Sequence, residues 1–335
     1  MAKYSLTPVD VPKVKTKYRR IVTKLPVPQS LKIFKSLAKT EPISMAGQPP
    51  IIWDRAEGIN VYDPYGNKWI DWSCGVLITN AGHGRKEFQE AIKRKIQKPL
   101  LATYVFVHED RATLTAMLQE IAPRKSDRVF LLSTGSEAIE NCIKLARTYG
   151  IKKGGPKKHI IVSFNNAFHG RTLGAQLAGG LPRLKEWIIR TDVGFVQVPF
   201  PDGYKNEDTS FALFEKTLKK LKINPKHVAG VISETFQGVG PDFMPKEYAK
   251  KLAAWCKKYD VVLIMDEVQA GFGRTGKMFA FEHYGIKPDL IACGKGITSS
   301  LPLSAVIGRK DIMNLYPPGS MTSTHSGSPL PVATA

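Results

Sequence analysis

Cysteine, long apolar runs and acidic residues are all in short supply in this chain, and each shortage narrows what it can be. The 335 residues include four cysteines, Cys74, Cys142, Cys256 and Cys293, far apart and without a Cys-x-x-Cys pair. That spacing gives neither a disulfide framework nor a zinc site, and a reducing cytoplasm fits it best. The seven histidines show no metal-ligand spacing either, so no metal is expected. No segment approaches the roughly 18 apolar residues of a transmembrane helix. Nor is Met1-Ala-Lys-Tyr-Ser5 followed by the apolar stretch of a signal peptide. No membrane partner is expected.

Acidic residues number 29 against 49 lysines and arginines, a formal net charge of +20. Such an excess attracts nucleic acid or anionic surfaces when it is concentrated on one face. Here the basic clusters lie at residues 13–20, 152–158 and 216–222, with no aromatic RNA-binding signature among them. They read as solvated faces and loops, and no nucleic-acid partner is expected. There are no internal repeats or low-complexity tracts, and 43% hydrophobic content is enough for a large core.

What the sequence does hold is alternation. Strands are expected at residues 128–133, 159–168, 193–198, 228–234, 261–266, 290–293 and 304–307, with helical segments such as 136–149, 210–221 and 246–259 between them. This pattern predicts an α/β fold with a mostly parallel, doubly wound sheet. Residues 1–50 are basic and proline-punctuated, and are expected to form an arm that packs only in an assembled protein. A β-ribbon is expected next, at 51–54, 59–62 and 68–72 around the turn Asp63-Pro-Tyr-Gly66, followed by helices at 86–98 and 110–121. The division is therefore residues 1–84, arm and small lobe, and residues 85–335, a large α/β domain.

Three local patterns carry chemistry. Asp266 ends the apolar run Val261-Val-Leu-Ile-Met265, as at the carboxyl end of a buried parallel strand, where ligands collect in open α/β sheets. Lys295 follows the apolar Leu290-Ile-Ala-Cys293 and sits between Gly294 and Gly296, which permit close approach to a ligand. Burial can lower a lysine pKa enough for Schiff-base chemistry near neutrality. Third, Ser133-Thr134-Gly135-Ser136-Glu137 joins a strand to an amphipathic helix, and a helix N-terminus with hydroxyls beside it favours a phosphate. Thr134 and Glu137 also have the spacing of an ordinary capping box. A carboxylate, a buried amine and a phosphate turn are what pyridoxal 5'-phosphate requires for its ring nitrogen, aldehyde and phosphate.

Together these residues resemble the class III pyridoxal-phosphate-dependent aminotransferases of the 4-aminobutyrate, ornithine and acetylornithine branches. The resemblance runs from about Trp53 to Ala335 and is most specific in Asp266-Glu-Val-Gln269-x-Gly-x-Gly-Arg-Thr-Gly and Gly294-Lys295-Gly296. Supporting pieces are Phe168-His169-Gly-Arg171-Thr, Glu234-x-x-Gln-Gly and Thr324-His-Ser-Gly-Ser-Pro329. It implies the pyridoxal-phosphate transferase fold type I with a small N-terminal lobe. It implies that Lys295 forms the Schiff base and moves the proton, and that Asp266 partners the ring nitrogen. Phe168 would stack on the ring with His169 as its cofactor neighbour, Thr134, Gly135 and Ser136 would bind phosphate, and Gln269 would lie near the phenolic oxygen. Thr324 would reach the phosphate of a neighbouring subunit, making a homodimer with shared active sites. Arg171 would hold a substrate carboxylate, and Glu234 would regulate a second arginine in the pocket. The implied reaction moves nitrogen from an ω-amino or diamino acid to a 2-oxo acid.

Some positions depart from the pattern: Thr235 stands where proline is usual, Pro241 replaces a glycine, and Ser328 replaces an asparagine. Pro329-Leu-Pro-Val-Ala-Thr-Ala335 reads as the approach to a helix. Members of the family continue into a C-terminal lobe that supplies an arginine for the α-carboxylate. A fragment of a longer protein or an incomplete gene product is therefore expected, with no residue here in that arginine's role. Alternatives are an aminomutase or decarboxylase on the same fold, separable by whether turnover needs a 2-oxo acid, and an inactive basic binding protein.

Overall fold

The computed structural model describes residues 4–189, Asp192 and residues 194–335. The chain forms two compact units, Met1–Gln89 and Glu90–Ala335. The first is built on strands β1 (Val14–Lys15), β2 (Arg20–Ile21), β3 (Arg55–Glu57), β4 (Asn60–Tyr62) and β5 (Lys68–Ile70), with helix α1 (Leu31–Thr40) and a short turn α2 (Cys74–Leu77). All pairings in its sheet, ordered β1-β2-β5-β4-β3, are antiparallel.

Two expectations for this unit need correction. The supposed arm supplies β1 and β2, which pair within the same chain rather than waiting for an assembly. The cause is the Asp63-Pro-Tyr-Gly turn, which does form: Asp63 Oδ1 accepts the Tyr65 and Asn67 N–H groups at 3.0 and 2.9 Å. That turn buries Asn67, whose Oδ1 receives the Val22 N–H at 2.8 Å. The other correction is a shift: the first ribbon strand is Arg55–Glu57, not residues 51–54.

Helix α3 (Lys86–Gln97) spans the division between the units, and in the second unit α4 (Glu109–Glu120) leads to a seven-stranded sheet. Its strands are β6 (Arg128–Leu132), β7 (Ile160–Phe164), β8 (Phe195–Val198), β9 (Val228–Glu234), β12 (Val262–Asp266), β13 (Leu290–Cys293) and β14 (Ser304–Gly308), after a small hairpin β10 (Phe236–Gln237) and β11 (Asp242–Phe243) between β9 and β12. The expected start of β8 at Val193 lies outside the described residues. The order is β6-β14-β13-β12-β9-β7-β8, parallel except that β14 runs antiparallel to both its neighbours. Helices α5 (Gly135–Gly154), α6 (Leu173–Ala178), α7 (Phe211–Lys220), α8 (Lys246–Lys258), α9 (Lys310–Met313) and α10 (Pro329–Thr334) complete the unit.

The apolar runs that mark the strands bury both faces of the sheet, and the two-residue period sorts them. Leu263 and Met265 of β12 join Trp255 of α8, Phe214 of α7 and Leu118 of α4 on one face. Val262 and Ile264 join Ala138, Cys142 and Ala146 of α5 on the other. The same alternation sends the consecutive carboxylates Asp266 and Glu267 to opposite sides. Among the described residues no helix is long and apolar enough to cross a membrane.

Candidate active site

A cavity of about 190 Å³ opens at the carboxyl ends of the parallel strands, lined by Thr134, Ser136, Phe168, His169, Glu234, Asp266, Gln269 and Lys295 together with Gly135, Gly170 and Val268. The first eight come from five separated segments of the chain, brought together because β6, β7, β9, β12 and β13 end on this side.

Asp266 is buried at the tip of β12. Its Oδ2 pairs with His169 Nδ1 at 2.8 Å and its Oδ1 accepts the Val268 N–H at 3.0 Å. Burial opposes a charged imidazole on His169, but the hydrogen bond and charge of Asp266 outweigh it and hold the pKa above its ordinary value. Lys295 lies just beyond β13 with φ 43°, a left-handed conformation strained for any residue but glycine, as found at functional positions. Burial lowers the pKa of its amine, although the charges of Asp266 and Glu234 pull the other way.

At the start of α5 the capping box forms. Thr134 Oγ1 accepts the Glu137 N–H at 3.2 Å, and Glu137 Oε2 accepts the Thr134 N–H at 2.8 Å. The box orders the turn without consuming it, since the Gly135 and Ser136 N–H groups belong to the first helical turn and have no intrahelical acceptor. Gly135 is required here: a Cβ would stand 2.8 Å from Val268 Cγ1.

Glu234 is fully enclosed. Its two oxygens accept the Phe168 and Gly238 N–H groups at 2.9 Å each, and burial pushes its carboxyl up to about 7. Arg171 and Thr324 do not line the cavity. Arg171 is exposed, with its guanidinium carbon 5.8 Å from the centre of the Phe168 ring, and Thr324 lies in an exposed turn. Val268 and Gly170 were missed by sequence reasoning, although Val268 is two positions beyond Asp266, where a strand-like period places it on the same side.

The set fits pyridoxal phosphate on grounds internal to the structure. His169 Nε2 and Gln269 Oε1 are buried at the cavity without a hydrogen-bond partner, as expected of atoms that meet a polar ligand. A carboxylate, an amine of lowered pKa and a helix N-terminus then face one small volume, the three groups needed for a pyridinium, an aldehyde and a phosphate. No cluster of metal-ligating side chains occurs among the described residues.

Fold and cavity thus define a pyridoxal-phosphate transferase, and the sequence itself is more specific. Residues 43–335 match the aminotransferase class-III family, and the chain belongs to it. It is 34% identical over 333 residues to the 4-aminobutyrate aminotransferase of Mycobacterium leprae, covering 95% of this chain and 73% of that protein. It is 33% identical to the acetylornithine aminotransferase of Aquifex aeolicus, over 84% of this chain and 71% of that one. Among solved structures, an (S)-enantioselective omega-transaminase from Thermomicrobium roseum superimposes with a TM-score of 0.83 at 30% identity, covering 91% of this chain and 72% of the other. The ornithine aminotransferase of Toxoplasma gondii gives 0.82 at 27% identity, with 92% and 70% covered. The protein is accordingly a pyridoxal-phosphate-dependent aminotransferase acting between an amino donor and a 2-oxo acid. That sets aside the non-enzymatic alternative.

Proposed function

We propose that the protein transfers the amino group of an ω-amino or diamino acid, of the 4-aminobutyrate or ornithine type, to a 2-oxo acid. The observation that carries the site assignment is the convergence of Lys295, Asp266 and the α5 N-terminus on one cavity. When bound there, pyridoxal phosphate supplies an electron-poor ring that eases cleavage of a bond at the substrate carbon bearing nitrogen. Asp266, oriented by His169 and the Val268 N–H, holds a positive ring nitrogen. Lys295 Nζ, its charge disfavoured by burial, anchors the cofactor and then takes and returns the proton at the substrate carbon. Thr134, Gly135 and Ser136 bind phosphate, Phe168 stacks on the ring, and Gln269 meets the phenolic oxygen.

The donor class rests on Arg171 and on relatives that act on 4-aminobutyrate and acetylornithine. Although Arg171 does not line the cavity, its guanidinium carbon lies 5.8 Å from the centre of the Phe168 ring, and we read it as the group that pairs a substrate carboxylate in a bidentate contact. We read Glu234 as the acid that tunes carboxylate recognition in the same pocket, Thr324 as a phosphate contact to a second subunit of a homodimer, and the cytoplasm as its compartment. Arg171→Ala should raise KM for a carboxylate-bearing donor by about tenfold or more relative to a simple alkyl amine, the scale of one charged hydrogen bond. Equal changes for both donors would refute the Arg171 assignment.

A further inference from the structure

One buried carboxylate in this region lies outside the cavity. Glu267 is completely enclosed, yet it sits among Phe279, Phe281 and Cys293 on the apolar face opposite Asp266. A carboxylate in such surroundings is kept at a cost, because apolar replacements of buried charges are often neutral or stabilising. Its contacts are what distinguish it. Glu267 Oε1 receives the Thr235 hydroxyl and, at 3.0 Å, the Phe281 N–H, while Oε2 receives the Ala280 N–H at 2.8 Å. Its own N–H donates to the Ala292 carbonyl at 2.9 Å, pinning the peptide to the strand that leads to Lys295. Tyr284 in turn donates to the Thr235 carbonyl at 2.7 Å.

Thr235 begins the loop after β9, and the same loop touches the β12 exit again at Gly238. A methyl group there would overlap the Gln269 amide. The two exits are thus joined at Thr235–Glu267 and at Gly238–Gln269, on either side of Val268, whose N–H donates to Asp266. We propose that Glu267 and Thr235 are positioning residues: their hydrogen bond fixes the Asp266–Gln269 segment, and with it the Val268 N–H that orients Asp266. This rests on the reading of Asp266 given above. Neither residue touches the cavity, so their effect is transmitted through the backbone.

The test is site-resolved amide exchange on the cofactor-free protein and its Thr235→Val, Thr235→Ser and Glu267→Gln variants, with absorption spectra after pyridoxal phosphate is added. Thr235→Val removes the hydroxyl at nearly constant volume. It should accelerate exchange at Val268 by about tenfold while Val231, inside β9, is unchanged, and Thr235→Ser should restore the wild-type rate. Glu267→Gln should act at Val268, Ala280 and Phe281 together. In the loaded protein the visible band of Thr235→Val should shift and that of Thr235→Ser should not. Unchanged Val268 exchange, or equal acceleration at Val268 and Val231, would overturn the proposal and leave the active-site reading intact. A wild-type protein without a Lys295-dependent band would overturn both.

Discussion

Asp266 stands in register with Ala292 on the neighbouring parallel strand, so its carboxylate and the Lys295 amine just beyond that strand enter one cavity from adjacent positions in the sheet. A carboxylate and a lysine set this way can grip opposite ends of one flat ring. The register does more than bring them close. It fixes the spacing of the backbones that carry them through strand hydrogen bonds, which side-chain motion cannot undo.

Asp266→Asn keeps the shape and removes the charge that favours a protonated ring nitrogen. The rate of the donor half-reaction should fall by about 10²–10³-fold, the scale seen when a preorganised electrostatic contact is removed. Stopped-flow absorbance with an amino donor measures it, and a change below about threefold would argue against Asp266 as the ring-nitrogen partner.

Gly135→Ala places a methyl group against Val268 at the helix N-terminus. Overpacking of this kind costs about 1–3 kcal/mol, so the Kd for pyridoxal phosphate should rise about tenfold. A fluorescence titration gives the value. An unchanged Kd would mean that the phosphate does not sit on this turn.

Glu267 links stability to pH in a direction set by burial, which raises its carboxyl from 4.5 to about 7. Between those values the folded protein keeps a proton that the unfolded chain has lost. The resulting stabilisation is fully present below about 4.5 and disappears as pH rises through about 7. The Tm advantage of wild type over Glu267→Gln in the cofactor-free protein should therefore narrow across this window. A constant gap by differential scanning calorimetry would contradict the raised value.

Most of the site was legible because its signals are local. The apolar runs before Asp266 and Lys295 mark buried strands whatever surrounds them, and the Thr134–Glu137 spacing marks a helix start; all three elements form where expected. The final Pro329–Thr334 helix was likewise visible in its prolines and apolar residues. What could not be read depends on distant partners. Nothing near Val22 announces that its N–H meets Asn67, so residues 14–21 read from the sequence as part of the 1–50 arm although they pair. Glu267 likewise carries no local mark of its partners: its oxygens go to Thr235, Ala280 and Phe281, a choice made by the neighbouring strand exit and the turn that folds back over it.

The visible absorption spectrum of the protein with added pyridoxal phosphate, compared between wild type and Lys295→Ala before and after a panel of amino donors, tests the central claim most directly. The account predicts a band that requires Lys295 and is discharged by a carboxylate-bearing ω-amino or diamino acid. A band of equal strength in Lys295→Ala, or one that no amino donor discharges, would contradict it.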